Sequence, residues 1–230
     1  MRLRGIAFGL MLVALSALGG CMVGELVGGM AQSAEYQKLV DMPPRYNGLE
    51  NKTVAVIVDV DLSTLYEFPN LAAIVTSGVG GRIARDVPGA RVLPAQYVIN
   101  WQYRSPQWAA LPYGEMAAQL NVERIVVIQI QEYRLNPPGN RYIWDGVANA
   151  TVGIVERNGL DPDSFAEQFE ILAKFPNLQG VSREEANKQQ IEAGLLAEFI
   201  KKTAWLFHQH LEPKYPDKYR PEINPPPAKS

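Results

Sequence analysis

The chain has 230 residues, of which 47% are hydrophobic and 20% are charged, and its formal net charge is −2. This composition excludes a disordered chain, a collagen-like fibre and a basic nucleic-acid-binding protein, and the length favours one folded domain. The single Cys excludes a disulfide scaffold and a multi-Cys zinc site, and the two His leave little room for a His-rich metal centre.

The N-terminal segment is typical of a secretory signal peptide. Arg2 and Arg4 give it a basic start, and residues 6–18 carry no charge. A basic start, ~7–15 apolar residues and small residues at the cleavage point form the pattern of such peptides. The alternative is a transmembrane helix, since residues 5–24 are uncharged over the ~20 residues that span a bilayer. Five of these residues are Gly and the apolar part is short, which favours the signal peptide.

The end of this segment resembles the lipobox of bacterial lipoproteins. Leu18 to Cys21 read Leu-Gly-Gly-Cys, and Cys21 is the only Cys in the chain. The resemblance implies that residues 1–20 are removed, that the Cys21 sulfur receives a diacylglycerol and that the new amine is acylated, for example with palmitate. Met22 stands where enterobacterial inner-membrane lipoproteins carry Asp. The resemblance therefore implies an outer-membrane lipoprotein that faces the periplasm.

Two segments outside the folded domain are predicted from their Gly and Pro content. Residues 21–51 are expected to be a lipidated tether, because Gly residues come early and Pro43 and Pro44 follow. Residues 212–230 contain six Pro and cannot form a helix or a central strand. We expect a solvated tail there, with binding in a groove of a partner as the alternative.

Residues 52–211 are expected to form one folded domain. Residues 53–60 read TVAVIVDV, which is apolar on both faces, as in a strand buried on both sides. Residues 164–175 fit both helical and strand spacing, and we assign a strand because the alternation continues to Pro176. The predicted elements in chain order are strand 53–60, helix 70–86, strand 90–93, an irregular aromatic stretch at 94–113, helix 114–120, strands 123–135, 141–156 and 164–175, and helix 182–211. The last helix is predicted to start at Ser182 because Ser182 to Glu185, Ser-Arg-Glu-Glu, has the pattern of a capping box. This β-α-β-α-β-β-β-α order is typical of an α/β or α+β fold with a single small mixed sheet and packed helices.

Three stretches of the domain follow a familiar layout, namely TVAVIVDV at 53–60, GEMAAQLNVERIVVIQI at 114–130 and Trp-Asp-Gly at 144–146. Over about residues 52–210 the chain resembles the periplasmic α/β domains of the TolB N-terminal region and of CsgG-type lipoproteins. The resemblance implies a non-enzymatic protein that assembles or supports an envelope or transport complex. A homo-oligomeric secretion-channel subunit is the alternative that the same resemblance implies.

Two carboxylates at the end of the first predicted strand form one candidate site. Asp59 and Asp61 lie two residues apart at a carboxyl end, where open α/β sheets hold ligands. Such a pair binds a cation or serves as an acid–base pair, and the protein would then be a small-molecule or glycan binder or a hydrolase. The alternative, which we favour, is that they cap a turn, because no other acidic or His cluster is placed by the sequence.

The aromatic stretch at 94–113 is a second candidate site. It contains the four residues that we single out for partner binding, Trp101, Tyr103, Trp108 and Tyr113. Clustered aromatic side chains make a surface for a peptide, a glycan or another subunit. They also make a lid over the end of a sheet, and the sequence leaves both interpretations open.

Other motifs give no catalytic set. Residues 78–82 read GVGGR, but the dinucleotide pattern fails because Ile83 stands at its third Gly. His208 and His210 lie two residues apart in a predicted helix, so they do not form the i, i+4 zinc pair. We therefore expect a non-enzymatic, lipid-anchored envelope protein with a protein partner or a second copy of itself, and without a metal, a cofactor or nucleic acid.

Overall fold

The computed structural model describes residues 38–177 and 181–213. Cys21, the predicted signal peptide, most of the predicted tether and residues 214–230 lie outside the described residues. The described chain divides into a main domain, residues 43–210, and a small unit that contains residues 38–42 and 211–213.

The strands are β1 (Leu39–Met42), β2 (Thr53–Val60), β3 (Arg91–Val92), β4 (Arg124–Arg134), β5 (Gly146–Glu156), β6 (Glu167–Phe175) and β7 (His210–Pro213). The helices are α1 (Leu62–Glu67), α2 (Leu71–Asp86), α3 (Ala95–Arg104), α4 (Tyr113–Gln119) and α5 (Lys188–Ala204), and a 3-10 turn, Trp108–Ala110, lies between α3 and α4. β1 and β7 pair in a two-stranded sheet of their own.

The main domain is built on a five-stranded mixed sheet with the order β3-β2-β4-β5-β6. β2 is parallel to both of its neighbours, whereas β5 is antiparallel to β4 and to β6. The predicted fold class, a single mixed sheet with packed helices, is confirmed. The strand prediction for residues 164–175 is also confirmed, because Phe169, Ile171 and Ala173 of β6 alternate into the core.

The larger core lies on one face of the sheet, beneath the two long helices α2 and α5. In α2, Val75, Val79 and Ile83 recur at helical spacing and are fully buried. In α5, Leu195 and Phe199 are fully buried in the same cluster. Each such side chain contributes roughly 1.5–3 kcal/mol through removal of its apolar surface from water, so this face is the main source of stability.

The second face of the sheet is covered only in part. α3 and α4 contribute Val98 and Met116, which pack on β2 and β4 in a smaller core. Toward β6 the same face carries polar side chains. There, the Thr151 hydroxyl accepts a hydrogen bond from the Gln131 amide and donates one to Glu170 over 2.8 Å. The helices therefore leave the β5–β6 half of this face without an apolar cover.

The folded domain begins earlier in the chain than the predicted boundary at residue 52. Tyr46 and Leu49 are buried in the larger core, and Leu49 has no exposed surface. The Tyr46 hydroxyl donates a hydrogen bond to Oε1 of Glu156 over 2.6 Å. The main domain accordingly starts at Pro43, within the segment that the sequence assigns to the tether.

The prediction of an irregular stretch at 94–113 is wrong. Residues 95–104 form α3, and the 3-10 turn and α4 follow it. Val98 faces the smaller core with no exposed surface, and Trp101, three residues later, packs against the same core. Pro94 occupies the N-cap position of α3, where a missing N–H costs nothing. The Pro residues therefore mark the start of a helix and do not exclude one.

The last helix is shorter than the predicted span 182–211. α5 begins after Asn187, whose side chain accepts a hydrogen bond from the Gln190 amide over 2.9 Å. The Gln190 side chain in turn accepts one from the Asn187 amide over 3.0 Å, which completes a capping box. The predicted box at Ser182 does not start the helix, and α5 ends at Ala204.

Candidate functional site

The main domain contains an open cleft of about 1080 Å³. Three segments line it, namely α1, the connection between β4 and β5, and the residues that lead into α5. The parallel strands β2 and β4 run into the first two of these segments at their carboxyl ends. Open α/β sheets bind ligands at this edge, so the cleft is the candidate functional site.

The first wall is α1, which begins directly after Asp61. Oδ1 of Asp61 accepts hydrogen bonds from the Ser63 amide over 2.8 Å and from the Thr64 amide over 3.0 Å, so it satisfies donors at the helix start. Hydrogen bonds from the Ser63 and Thr64 hydroxyls, together with these amides, hold the pKa of the exposed Asp61 carboxyl well below its usual value. The capped helix presents Tyr66, which is 93% exposed, at the cleft.

The second wall is the connection between β4 and β5. The Asn136 side-chain amide donates to the backbone oxygen of Ile143 over 2.6 Å and closes this turn. Nη1 of Arg134 donates to the backbone oxygens of Asn136 and Asp145, over 2.9 Å and 2.7 Å. The turn is thus held from both sides, and it carries Tyr142, which is 83% exposed and lines the cleft.

The third wall holds an arginine in a fixed position. Trp144 is buried, and its Nε1 donates to the backbone oxygen of Ala186 over 2.8 Å. The guanidinium of Arg183 lies over the Trp144 ring, with Cζ 4.7 Å from the ring centroid, and its Nε donates to the backbone oxygen of Arg141. These two contacts fix the guanidinium plane. Within the described residues, no hydrogen bond uses the two terminal nitrogens of Arg183.

Basic side chains outnumber acidic ones at the cleft. The charged lining residues are Arg134, Arg141, Arg183, Lys188 and Glu67. Two carboxylates, at 2.6 Å and 2.9 Å, neutralise Arg134. The other three cations form no ion pair with any carboxylate in the described part of the chain. The three cations without an ion pair outnumber Glu67, so the lining has an excess of positive charge that favours an anionic ligand.

The predicted carboxylate pair does not share one environment. Asp61 is the exposed N-cap of α1, as described above, so it serves the capping role that the sequence favours. Asp59 is half-buried at the end of β2, and burial raises the pKa of its carboxyl. After burial, the charge of Asp59 is the second cause of a raised pKa at Tyr113. Neither aspartate lines the cleft.

Replacing Asp59 with Asn is expected to raise the free energy of unfolding at pH 7. Burial lifts the folded-state pKa of the carboxyl above ~3.9, its value in an unfolded chain. The ionised carboxylate therefore destabilises the folded state above that pKa and has no effect below about pH 3.9. Urea unfolding at pH 7 and at low pH measures the difference, which should vanish in acid.

The exposed Glu167→Gln is the matched control for Asp59→Asn and should leave stability unchanged at both pH values. A loss of stability in Asp59→Asn at pH 7 would mean that the charged carboxylate makes a favourable contact. That result would support a role for Asp59 as a cation ligand or an acid–base group.

The four predicted partner-binding aromatics divide into two groups. Trp101, Trp108 and Tyr113 are partly buried and pack against the smaller core. Nε1 of Trp101 also donates to Oε1 of Gln119 over 3.0 Å, which ties α3 to α4. Tyr103 is 82% exposed and stays available for a partner.

Sequence reasoning missed the cleft. Tyr66, Tyr142 and Arg183 come from segments far apart in the chain. The one local signal is the neighbouring pair Arg141 and Tyr142, which the sequence places at the start of the predicted strand 141–156, whereas β5 begins only at Gly146 and both residues lie in the turn before it. A turn with a cation and an aromatic side chain is common at a protein surface, so this signal gives no site by itself.

Two kinds of feature are absent from residues 38–177 and 181–213. None of the helices there combines the length and the apolar character needed to cross a bilayer. No group of three or more His, Cys, Asp or Glu side chains in the same residues is arranged to hold a metal ion.

No protein-family model and no curated protein matches the chain. Among solved structures, it is similar to the PelC dodecamer from Paraburkholderia phytofirmans, with 10% identity and a TM-score of 0.42 over 75% of this chain and 99% of that one. It is also similar to lipoprotein GNA1162 from Neisseria meningitidis, with 12% identity and a TM-score of 0.40 over 63% and 91% of the two chains. The hypothetical protein CT253 from Chlamydia trachomatis gives 14% identity and a TM-score of 0.36 over 67% and 96%. Likenesses this weak establish neither a family nor a function for this chain.

Proposed function

We propose that the chain is a lipid-anchored protein of the bacterial cell envelope, and that its domain acts without catalysis as an accessory or scaffold component of an envelope or transport complex. The observation that carries the proposal is the Leu-Gly-Gly-Cys sequence that ends at Cys21, directly after an apolar segment with a basic start. Lipid on Cys21 holds the domain at the periplasmic side of the outer membrane.

The domain supports a binding role through its surface. Tyr103 is 82% exposed on α3, and a large exposed aromatic side chain is a typical centre of a protein interface. An acid–base role at Asp59 and Asp61 has weaker support, because the Asp61 carboxylate is occupied by the start of α1. The partner is therefore expected on the α3 side of the domain.

Replacing Cys21 with Ser is expected to abolish lipidation and lipoprotein-type processing. A hydroxyl does not form the thioether, and the chain then lacks the acyl chains that contribute ~0.8 kcal/mol per buried CH2 to membrane binding. Metabolic labelling with an alkyne fatty acid, followed by measurement of mature chain mass, tests this. The control is Ser33→Ala, which keeps Cys21 and should be labelled and processed as the original chain is.

An unchanged label and an unchanged mature mass in Cys21→Ser would contradict the anchor. Proximity labelling in the cell then tests the partner. Tyr103→Ala should reduce the recovery of any specific neighbour, whereas the equally exposed Tyr142→Ala, which lies at the cleft, should not.

A further inference from the structure

We propose that the cleft binds an acidic glycan, a sugar chain that carries carboxylate or phosphate groups. Its anionic groups pair with Arg141, Arg183 and Lys188, and its sugar rings stack on Tyr66 and Tyr142. All five side chains line the same cleft of about 1080 Å³. This site is separate from Cys21 and from the Tyr103 surface, so it does not depend on the proposed anchor or partner.

Arg183 is the centre of the proposed site, because its guanidinium is already in a fixed position. The Trp144 ring supports one face of the guanidinium at 4.7 Å, and the backbone oxygen of Arg141 takes its Nε proton. The two terminal nitrogens therefore keep their donors for a ligand, in the planar arrangement that a carboxylate or phosphate accepts through two hydrogen bonds. Little side-chain entropy is lost when such a group binds.

Two further cations extend the charge along the walls of the cleft. Arg141 is exposed and forms no ion pair within the described residues. Lys188 is also without an ion pair there, and its Nζ lies 5.0 Å from the centroid of the Phe68 ring. Like charges at one site repel each other, so the arrangement lowers stability unless a ligand neutralises it. Three cations spread over two walls of the cleft suit a ligand with several charges rather than a single small anion.

The aromatic walls point to a sugar as the carrier of these charges. Tyr66 and Tyr142 are 93% and 83% exposed, so the sequence keeps two large rings in water at the cleft. Sugar rings present flat C–H faces that stack on such rings, and their hydroxyls bond to polar tips. The cleft is also at or above the ~300–1,000 Å³ that is typical of small-molecule pockets, which gives room for several sugar units.

The concave shape of the site favours a glycan over a membrane surface. A planar bilayer meets cations that project from a surface, whereas Arg183 lies within a cleft that three segments line. Anionic phospholipid headgroups are nevertheless the competing source of negative charge in an envelope. The test therefore includes a soluble phospholipid headgroup as a separate arm.

Isothermal titration calorimetry on the full chain in detergent tests the proposal. The probe is tetragalacturonate, maltotetraose is the neutral comparison, and glycerophosphoglycerol, the water-soluble headgroup of phosphatidylglycerol, is the membrane arm. We expect the original chain to bind tetragalacturonate, with an affinity that falls as salt rises, and to bind neither maltotetraose nor glycerophosphoglycerol comparably. Arg183→Gln should weaken binding about tenfold or more.

Three further variants distinguish binding at the cleft from a general effect of surface charge or of misfolding. Arg141→Gln should weaken binding several-fold and leave folding unchanged, because the Arg141 side chain is exposed and makes no hydrogen bond or ion pair within the described residues. Tyr142→Ala should weaken binding through loss of stacking. Arg157→Gln removes an exposed cation of a different turn and should leave the affinity unchanged. Far-UV circular dichroism confirms that each variant is folded.

Several results would overturn the proposal. One is that tetragalacturonate does not bind at low salt. Another is that maltotetraose binds as tightly as tetragalacturonate. A third is that Arg157→Gln loses as much affinity as Arg141→Gln. Preferential binding of glycerophosphoglycerol would assign the cleft to anionic phospholipid headgroups. Unchanged affinity in Tyr142→Ala would contradict the stacking of a sugar ring on Tyr142. It would indicate that the cleft recognises the anionic group alone.

Discussion

Replacing Phe199 with Ala is expected to lower the free energy of unfolding by about 3–5 kcal/mol. Phe199 has no exposed surface, and it lies in α5 within the larger core. Its removal loses the transfer free energy of a buried ring and leaves a cavity that the surrounding sheet and helices fill only in part. Urea unfolding followed by Trp fluorescence measures the loss.

The controls for Phe199→Ala separate the effect of losing a buried ring from the effect of removing any apolar side chain. Phe199→Leu keeps most of the apolar volume and should cost less than the Ala variant. Leu160→Ala removes a fully exposed side chain and should change stability by at most about 0.5 kcal/mol. A loss below about 1 kcal/mol in Phe199→Ala would contradict the packing of α5 on the sheet, since no buried ring of this size is removed so cheaply.

The parts of the fold that the sequence predicts are those whose local pattern agrees with their final contacts. β2 is apolar on both faces because both faces of the sheet are covered there, by the two cores. α2 has one apolar stripe because one side of it meets the sheet. β6 alternates because only one of its faces is buried. In each case the pattern and the burial have the same period, so sequence reasoning is sufficient.

The start of α5 shows a local signal that tertiary contacts override. The Ser182 amide does donate to the Glu185 carboxylate over 2.7 Å, so half of the predicted capping box forms. However, Ser182 also pairs with Ile143 in an isolated bridge, and the backbone oxygen of Val181 accepts the Trp144 amide over 2.8 Å. This pairing keeps the backbone extended there, and the helix begins only at the second box.

A tertiary contact also determines where α5 ends. The backbone oxygen of Leu206 accepts the amide of Tyr46 over 2.9 Å. A longer helix would need that oxygen for the amide four residues later, so the two arrangements exclude each other. No feature of residues 204–211 reveals this, because the competing donor lies far away in the chain.

The cleft could not be predicted from the sequence for the same reason. Its three walls come from distant parts of the chain, and only tertiary contacts bring them together.

A network of charged and polar groups fixes the segment that the sequence assigns to the tether. Nε of Arg124 donates to the backbone oxygen of Gly48 over 3.2 Å, and Nη2 lies 3.5 Å from Oε2 of Glu156. The other oxygen of Glu156 accepts the hydroxyl of Tyr46 over 2.6 Å. Burial first, and then this hydrogen bond, raise the pKa of the Tyr46 hydroxyl, so it stays a donor at all working pH values. Arg124 is thus the link between β4, β5 and the start of the domain.

Replacing Arg124 with Ala is expected to lower the free energy of unfolding by about 3 kcal/mol, the lower end of the range for breaking a buried ion pair. The Arg124 side chain is 8% exposed but that of Glu156 is 27% exposed, so water partly solvates the carboxylate that is left behind. Arg124→Lys keeps the charge but not the planar donor set and should recover part of the loss. The exposed Arg157→Ala is the matched control, with a change within about 0.5 kcal/mol.

Hydrogen exchange distinguishes the role of Arg124 from a general loss of stability. Amides of the segment that contains Tyr46 and Leu49 should lose protection in Arg124→Ala under conditions where the central amides of β4 keep theirs. Equal loss in both places would mean that Arg124 supports the sheet alone. Unchanged protection around Tyr46 would show that this segment holds to the core without the charge network, through the buried Leu49 side chain and the hydrogen bond from the Tyr46 amide to the Leu206 oxygen.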